Sequence, residues 1–120
     1  MIRYTFPFPI PVNNMFANSP SGSRFKSARY KSWRKAACEE VLAQGRKHLH
    51  GPVCISIALV RPDKRKRDLD GLAKGILDVL TEMQVIEDDS LVERISIQWT
   101  AAGGFECAVL IHEASEEMAA

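Results

Sequence analysis

The chain has 120 residues, 46% hydrophobic and 26% charged, enough for one domain with its own core and not comfortably for two. No apolar run reaches the ~20 residues that span a bilayer, and the opening MIRYTFPFPIPVNN lacks the basic-then-apolar layout of a signal peptide, so a cytoplasmic protein without a membrane partner is expected. The net charge of +1 hides an asymmetry: residues 1–67 carry fourteen Lys/Arg and three Asp/Glu, residues 68–120 two and twelve. That pattern fits a polyanionic partner, and equally two halves that neutralise each other in the fold.

Ile2, Tyr4, Phe6 and Phe8 alternate with polar or proline positions, which predicts a first strand facing a core. Pro7, Pro9 and Pro11 put its end at an edge or in an extended segment. VNNMFANSPSGSR reads as a long loop of the kind that often carries function. A helix is expected from about Phe25 to His48, with Tyr30, Trp33, Ala37 and Val41 as its apolar stripe. Its first half holds Lys26, Arg29, Lys31, Arg34 and Lys35 and no acid. VCISIALV, Val53 to Val60, has the near-continuous apolar pattern of a central strand. A second helix is expected over Gly71–Met83, burying Leu72, Ile76, Val79, Leu80 and Met83, with Asp70 as its N-cap.

Leu91 to Thr100 predicts a strand with Ile95, Ile97 and Trp99 on one side, and Phe105 to Ile111 a last strand paired to it as a hairpin. HEASEEMAA looks like a frayed end, so a single domain over 1–113 and a flexible tail over 114–120 are expected. The order is βαβαββ, an α/β (α+β) domain with a single mixed β-sheet and two main helices. Cys38, Cys54 and Cys107 are odd in number and lack a CxxC pair, which fits small buried hydrophobes in a reducing compartment.

The segment KRKRDLDGLAK sets four cations, Lys64, Arg65, Lys66 and Arg67, against two carboxylates. In an extended stretch residues two apart point the same way, so Asp68 and Asp70 can face one point in space. Asp89 follows the second helix, where the chain turns back beside it, and can join them. Carboxylates held together repel unless a cation neutralises them, and an all-oxygen set suits Mg²⁺ or Mn²⁺. Each piece alone has a plain reading: Asp70 as a cap, Glu87–Asp89 as a solvated turn, Lys74 as the partner of Asp70 or Asp78 on the helix surface. Their conjunction beside a cation block favours phosphoryl chemistry, in which Lys74 either stays a helix-surface partner or holds a scissile phosphate and stabilises developing charge.

PDKRKRDLDGLAKGILDVL…VIEDDSLV resembles the RusA family of Holliday junction resolvases, small bacterial and prophage endonucleases. Their pattern is a basic stretch, then D-L-D-N-L-x-K, a hydrophobic helix, and a D-D pair after a short apolar turn. The resemblance extends to PFPIPVNN and SARYKSWRKA, so it spans nearly the whole chain. It implies that Asp68, Asp70 and Asp89 are catalytic and metal-holding, and that Lys74 is the catalytic lysine. It also implies a Mg²⁺ or Mn²⁺ cofactor, and a homodimer that makes paired nicks in opposing strands of four-way junction DNA in recombination and repair. The setting would be bacterial cytoplasm, with action at the nucleoid. Gly71 stands where an Asn is common, which removes one polar contact.

The candidate DNA contacts are Asn13, Asn14, Phe16, Arg24 and Lys26 together with Lys64–Arg67. Phe16 is the aromatic expected to wedge at unstacked base pairs. His48 and His50 are expected at a helix end, with no metal role. Two other classes compete with the nuclease: a non-catalytic structure-selective DNA-binding module, and an enzyme acting on a small phosphorylated substrate. No Gly-rich phosphate loop supports the second.

Overall fold

A computed structural model describes residues 1–115, and the final residues of the expected tail, 116–120, lie outside the described residues. Strand β1 (Ile2–Phe6) is followed by a 3-10 turn at Val12–Asn14 and a small hairpin of β2 (Phe16–Asn18) and β3 (Arg24–Lys26). Helix α1 (Ala28–Gln44), strand β4 (Val53–Val60), helix α2 (Lys74–Glu82), strand β5 (Val92–Thr100) and strand β6 (Cys107–Glu113) complete the chain. The main sheet has four strands in the order β1-β6-β4-β5. β6 is antiparallel to both β1 and β4, and β4 is parallel to β5, so the sheet is mixed as expected.

Two parallel neighbours need a crossover, and α2 supplies it between β4 and β5. This corrects the expected terminal hairpin: residues 101–106 carry the chain past β4, and β6 pairs on the far side of it. The reason lies in the residues. CAVLIHE is nearly all apolar at its start and its Cys107, Ala108, Val109 and Ile111 are buried, the pattern of an inner strand. VERISIQWT alternates and contains no buried residue, the pattern of an edge strand.

The core is one cluster. Val53, Ile55, Ile57 and Leu59 of β4 meet Tyr4 and Phe6 of β1, Val109 and Ile111 of β6, and the inner faces of both helices. The expected stripe Tyr30, Trp33, Ala37, Val41 is the buried face of α1. That helix is shorter at both ends than the periodicity predicts. Phe25 and Lys26 are taken by the pairing of β3 with β2, and Ser27 then caps the helix by accepting from the Tyr30 amide at 3.2 Å. Gly45, at φ +97°, ends it, and Tyr4 Oη holds the exit by donating to the Gly45 carbonyl and accepting from the Lys47 amide. His48 and His50 therefore stand beyond the helix, not at its last turn. Ala114 is buried, and its amide donates to the Pro52 carbonyl at 3.0 Å, so this first residue of the expected tail packs on the domain.

α1 and α2 cross closely at Gly75. A Cβ there would stand 3.1 Å from the Trp33 ring and 3.4 Å from that of Tyr30. The Trp33 ring is fixed by stacking on Tyr30 and by donating from Nε1 to the Pro7 carbonyl at 3.0 Å. Just ahead of α2, a Cβ at Gly71 would stand 3.6 Å from the Val12 side chain, so this approach lies against the 3-10 turn Val12–Asn14.

Candidate active site and nucleic-acid face

Asp70 is not the N-cap of α2. It opens a separate 3-10 turn, Asp70–Leu72, closed by the Leu72 amide on the Leu69 carbonyl at 3.0 Å, and its side chain caps nothing. The helix begins only at Lys74. This frees the Asp70 carboxylate. Asp68 and Asp70 both line a cleft of about 340 Å³ whose other walls include Pro11, Asn13, Lys66, Arg67 and Gly71. Among the described residues no hydrogen bond or ion pair engages the side chains of Asp68, Asp70 or Asp89. Asp68 and Asp70 thus stand open beside Lys66 and Arg67.

The cations are accounted for by an acid the sequence reading passed over. Asp63 takes Arg67 in a two-pronged pair, at 2.6 and 3.0 Å, and also accepts from the amide and Nε of Arg65. The Arg67 guanidinium, then the Arg65 amide, hold the Asp63 carboxyl well below the usual carboxylate range. Arg67 also lies over the Phe8 ring at 5.5 Å, and its side chain is only 17% exposed. Half of the block Lys64–Arg67 is therefore paired to Asp63, and among the described residues Lys64 and Lys66 have no such partner. The spacing of Asp63 two and four residues before these arginines was a visible signal.

Lys74, the first residue of α2, donates to Asp78 Oδ1 at 2.8 Å, and Tyr30 Oη donates to Asp78 Oδ2 at 3.2 Å. The pairing with Asp78 is the one realised, not that with Asp70. The hydrogen bond to Asp78 is the main reason that the Lys74 ammonium holds its proton more tightly than usual, and the charge of Asp89 adds to it. Burial, then Asp78, pushes the Tyr30 phenol up to about 12. The oxygens of Asp68, Asp70 and Asp89 do not all fall within 4.8 Å of one another, the spacing of a ready three-ligand cage. They are exposed hard-oxygen donors, and that donor chemistry fits Mg²⁺ or Mn²⁺.

A second cleft of about 440 Å³ continues from the first through Pro11, Lys66 and Arg67 and is lined by Asn14, Arg29 and Arg65. Asn13 and Asn14 belong to the 3-10 turn between the two clefts, and Asn13 faces the acidic one. The Ser27 hydroxyl donates to the Asn14 carbonyl at 2.7 Å, tying this turn to the start of α1. Arg24 and Lys26 stand on β3. Phe16 is half-buried, packed on Tyr30 and covered by the Arg24 guanidinium at 4.1 Å, which leaves its face occupied. Phe25, on the neighbouring strand of the same hairpin, is 48% exposed and is the aromatic presented to solvent. No helix among the described residues is long and apolar enough to cross a membrane.

The chain matches the family model Endodeoxyribonuclease RusA over residues 7–110, a span that holds both clefts, the three aspartates and Lys74. It is 30% identical over 90 residues to the Crossover junction endodeoxyribonuclease RusA of Aquifex aeolicus (strain VF5), covering 74% of this chain and 71% of that protein. The pattern of free aspartates, lysine and basic groove is thus carried on a chain that belongs to the RusA family of endodeoxyribonucleases.

Proposed function

We propose that the protein resolves four-way DNA junctions by metal-dependent paired nicks in opposing strands. The observation that carries this reading is the pair Asp68 and Asp70 lining a cleft that runs on, through Lys66 and Arg67, into a groove that also holds Arg29. Asp68, Asp70 and Asp89 would hold the Mg²⁺ or Mn²⁺, which supplies activation of the attacking water and stabilises charge on the leaving oxygen. Lys74, steadied by Asp78 and through it by Tyr30, donates to a non-bridging oxygen of the scissile phosphate, where negative charge grows during attack. Lys66 and Arg29 along the groove, with Asn13 and Asn14 at its centre and the exposed Lys64 close in sequence, fix the register of the DNA backbone. Arg24 and Lys26 extend that track along the hairpin.

A homodimer follows from the substrate. The junction has two-fold symmetry, one chain offers one acidic site, and a C2 pair supplies two. Apolar surface of the sheet and the N-terminal segment around Phe6–Ile10 are the two places the sequence offers for the contact, and in the second Phe6, Pro9 and Ile10 are buried in the chain's own core. The sheet face lined by Ser56, Ala58, Ser96 and Ala108, with Arg3 and Phe105 at the same depression, is the better surface. A dimer of about 27 kDa, twice the 13.4 kDa chain, is expected in solution at micromolar concentration. Action in a bacterial cytoplasm, at the nucleoid, fits the same reading.

Asp68→Asn, Asp70→Asn and Asp89→Asn test the site. Each keeps shape and removes a charge, so cutting should stop while junction binding persists or tightens. Undiminished cutting by all three variants would remove the aspartates from the chemistry.

A further inference from the structure

On the segment that leads out of α1, residues 48–50 run beside residues 84–87. Leu49 forms a parallel bridge with Ile86, and its amide donates to the Val85 carbonyl at 2.8 Å. His48 and His50 flank Leu49 in an extended stretch and so project to the same side. Glu87 follows Ile86 on the partner segment. One nitrogen from each ring and one oxygen of Glu87 all lie within 4.8 Å of one another, and the rings meet edge-on with centroids 4.4 Å apart. The cluster joins residues nearly forty positions apart in sequence, which is why the spacing of the histidines alone gave no sign of it.

We propose that His48, His50 and Glu87 form a binding site for a borderline divalent ion of the zinc type, distinct from the aspartate site. Two imidazoles and one carboxylate are a zinc ligand set with room left for water, whereas Mg²⁺ prefers an all-oxygen shell. The ligands are already oriented from behind. His48 Nδ1 hydrogen-bonds the Gln84 carbonyl, so the proton sits there and Nε2 keeps its lone pair. Glu87 Oε1 accepts from the Gly51 amide at 2.5 Å. Its Oε2 stands 4.0 Å from His50 Nδ1, too far for a hydrogen bond to satisfy either group. Tetrahedral zinc needs ligand atoms roughly 3.3 Å apart, given bonds of ~2.0–2.1 Å. His50 and Glu87 are exposed and can close that gap by small side-chain rotations. A bound ion ties the 48–51 segment to the turn that leads to Asp89.

The test uses the full chain carrying Asp68→Asn, Asp70→Asn and Asp89→Asn, so that ions have no aspartate site to occupy and the result does not depend on nuclease activity. Zn²⁺ is titrated while the histidine ring nitrogens are followed by NMR, with calorimetry for the stoichiometry. One equivalent should shift the His48 and His50 rings and leave His112 unchanged, and millimolar Mg²⁺ should shift neither. His48→Ala and His50→Ala should each weaken Zn²⁺ binding by about tenfold or more, and Glu87→Gln by several-fold. The three positions are surface ones, and circular dichroism confirms that the variants fold. Rings that do not respond to Zn²⁺, or binding that survives both histidine substitutions, would overturn the proposal.

Discussion

Replacing Lys74 by Ala separates a surface brace from a group that works on the phosphate. In the fold Lys74 makes one i,i+4 ion pair, with Asp78 at 2.8 Å, and its side chain is about half exposed. An exposed helix pair of that kind contributes about 0.3–0.5 kcal/mol. Loss of the pair leaves Asp78 its bond from Tyr30 Oη, so no buried charge is stranded. Stability should therefore fall by only a few tenths of a kcal/mol. Cutting should fall far more. Removal of one donor to developing negative charge costs about 10²–10³ in rate, roughly 2.7–4 kcal/mol. Arg in place of Lys should rescue poorly, since a planar fork does not replace a compact ammonium. Single-turnover cleavage of a labelled junction at saturating enzyme, with urea melts of the same preparations, measures both quantities. A Lys74→Ala rate within a few-fold of the wild type would refute the catalytic role and leave Lys74 as a brace.

The free cations should dominate the salt response. Lys64→Ala with Lys66→Ala should lower the slope of log affinity against log salt by about 2, while Arg65→Ala, already paired to Asp63, should lower it less; titrations at several salt concentrations decide this. Gly75→Ala should destabilise. Overpacking against the fixed Trp33 ring costs roughly 1–3 kcal/mol, helix propensity returns about 1, and the net loss should lower the Tm by several degrees in a thermal melt. The Asp63 carboxyl is held low by Arg67, so its stabilising pair is intact above the usual carboxylate pKa of about 3.9 and is lost as pH falls through the lowered value. Wild type and Asp63→Asn should accordingly differ in urea midpoint at pH 7 and converge in strong acid.

What could be read from the residues follows the range of the interactions. The α1 stripe of Tyr30, Trp33, Ala37 and Val41 and the apolar run of β4 are strong periodic signals, and both stand where they were expected. Pairing of strands is a long-range choice. The hairpin expectation for β5 and β6 rested on adjacency and neglected that one strand alternates while the other does not. The short hairpin Phe16–Lys26 was hidden because its strands have three residues each and mixed polarity. Local competition explains Asp70, where a 3-10 turn claims the residue before α2 begins. Asp68, Asp70, Lys74 and Asp89 were grouped from the compact pattern DLD…K…DD, and of these the fold sets Asp68 and Asp70 on one cleft. Contacts distant in sequence were harder to see: Tyr30 reaches Asp78 across 48 positions, and Glu87 meets His48 and His50 only through the bridge at Leu49.

The central claim is junction-selective, metal-dependent cutting. It is tested most directly by incubating the protein with a synthetic four-way junction and with a linear duplex of the same sequence, each with and without Mg²⁺, and mapping the products on all strands. Paired nicks in opposing strands of the junction, only with Mg²⁺, and an intact duplex are the predicted result. Binding to the junction without any cutting, or equal cutting of the duplex, would contradict it.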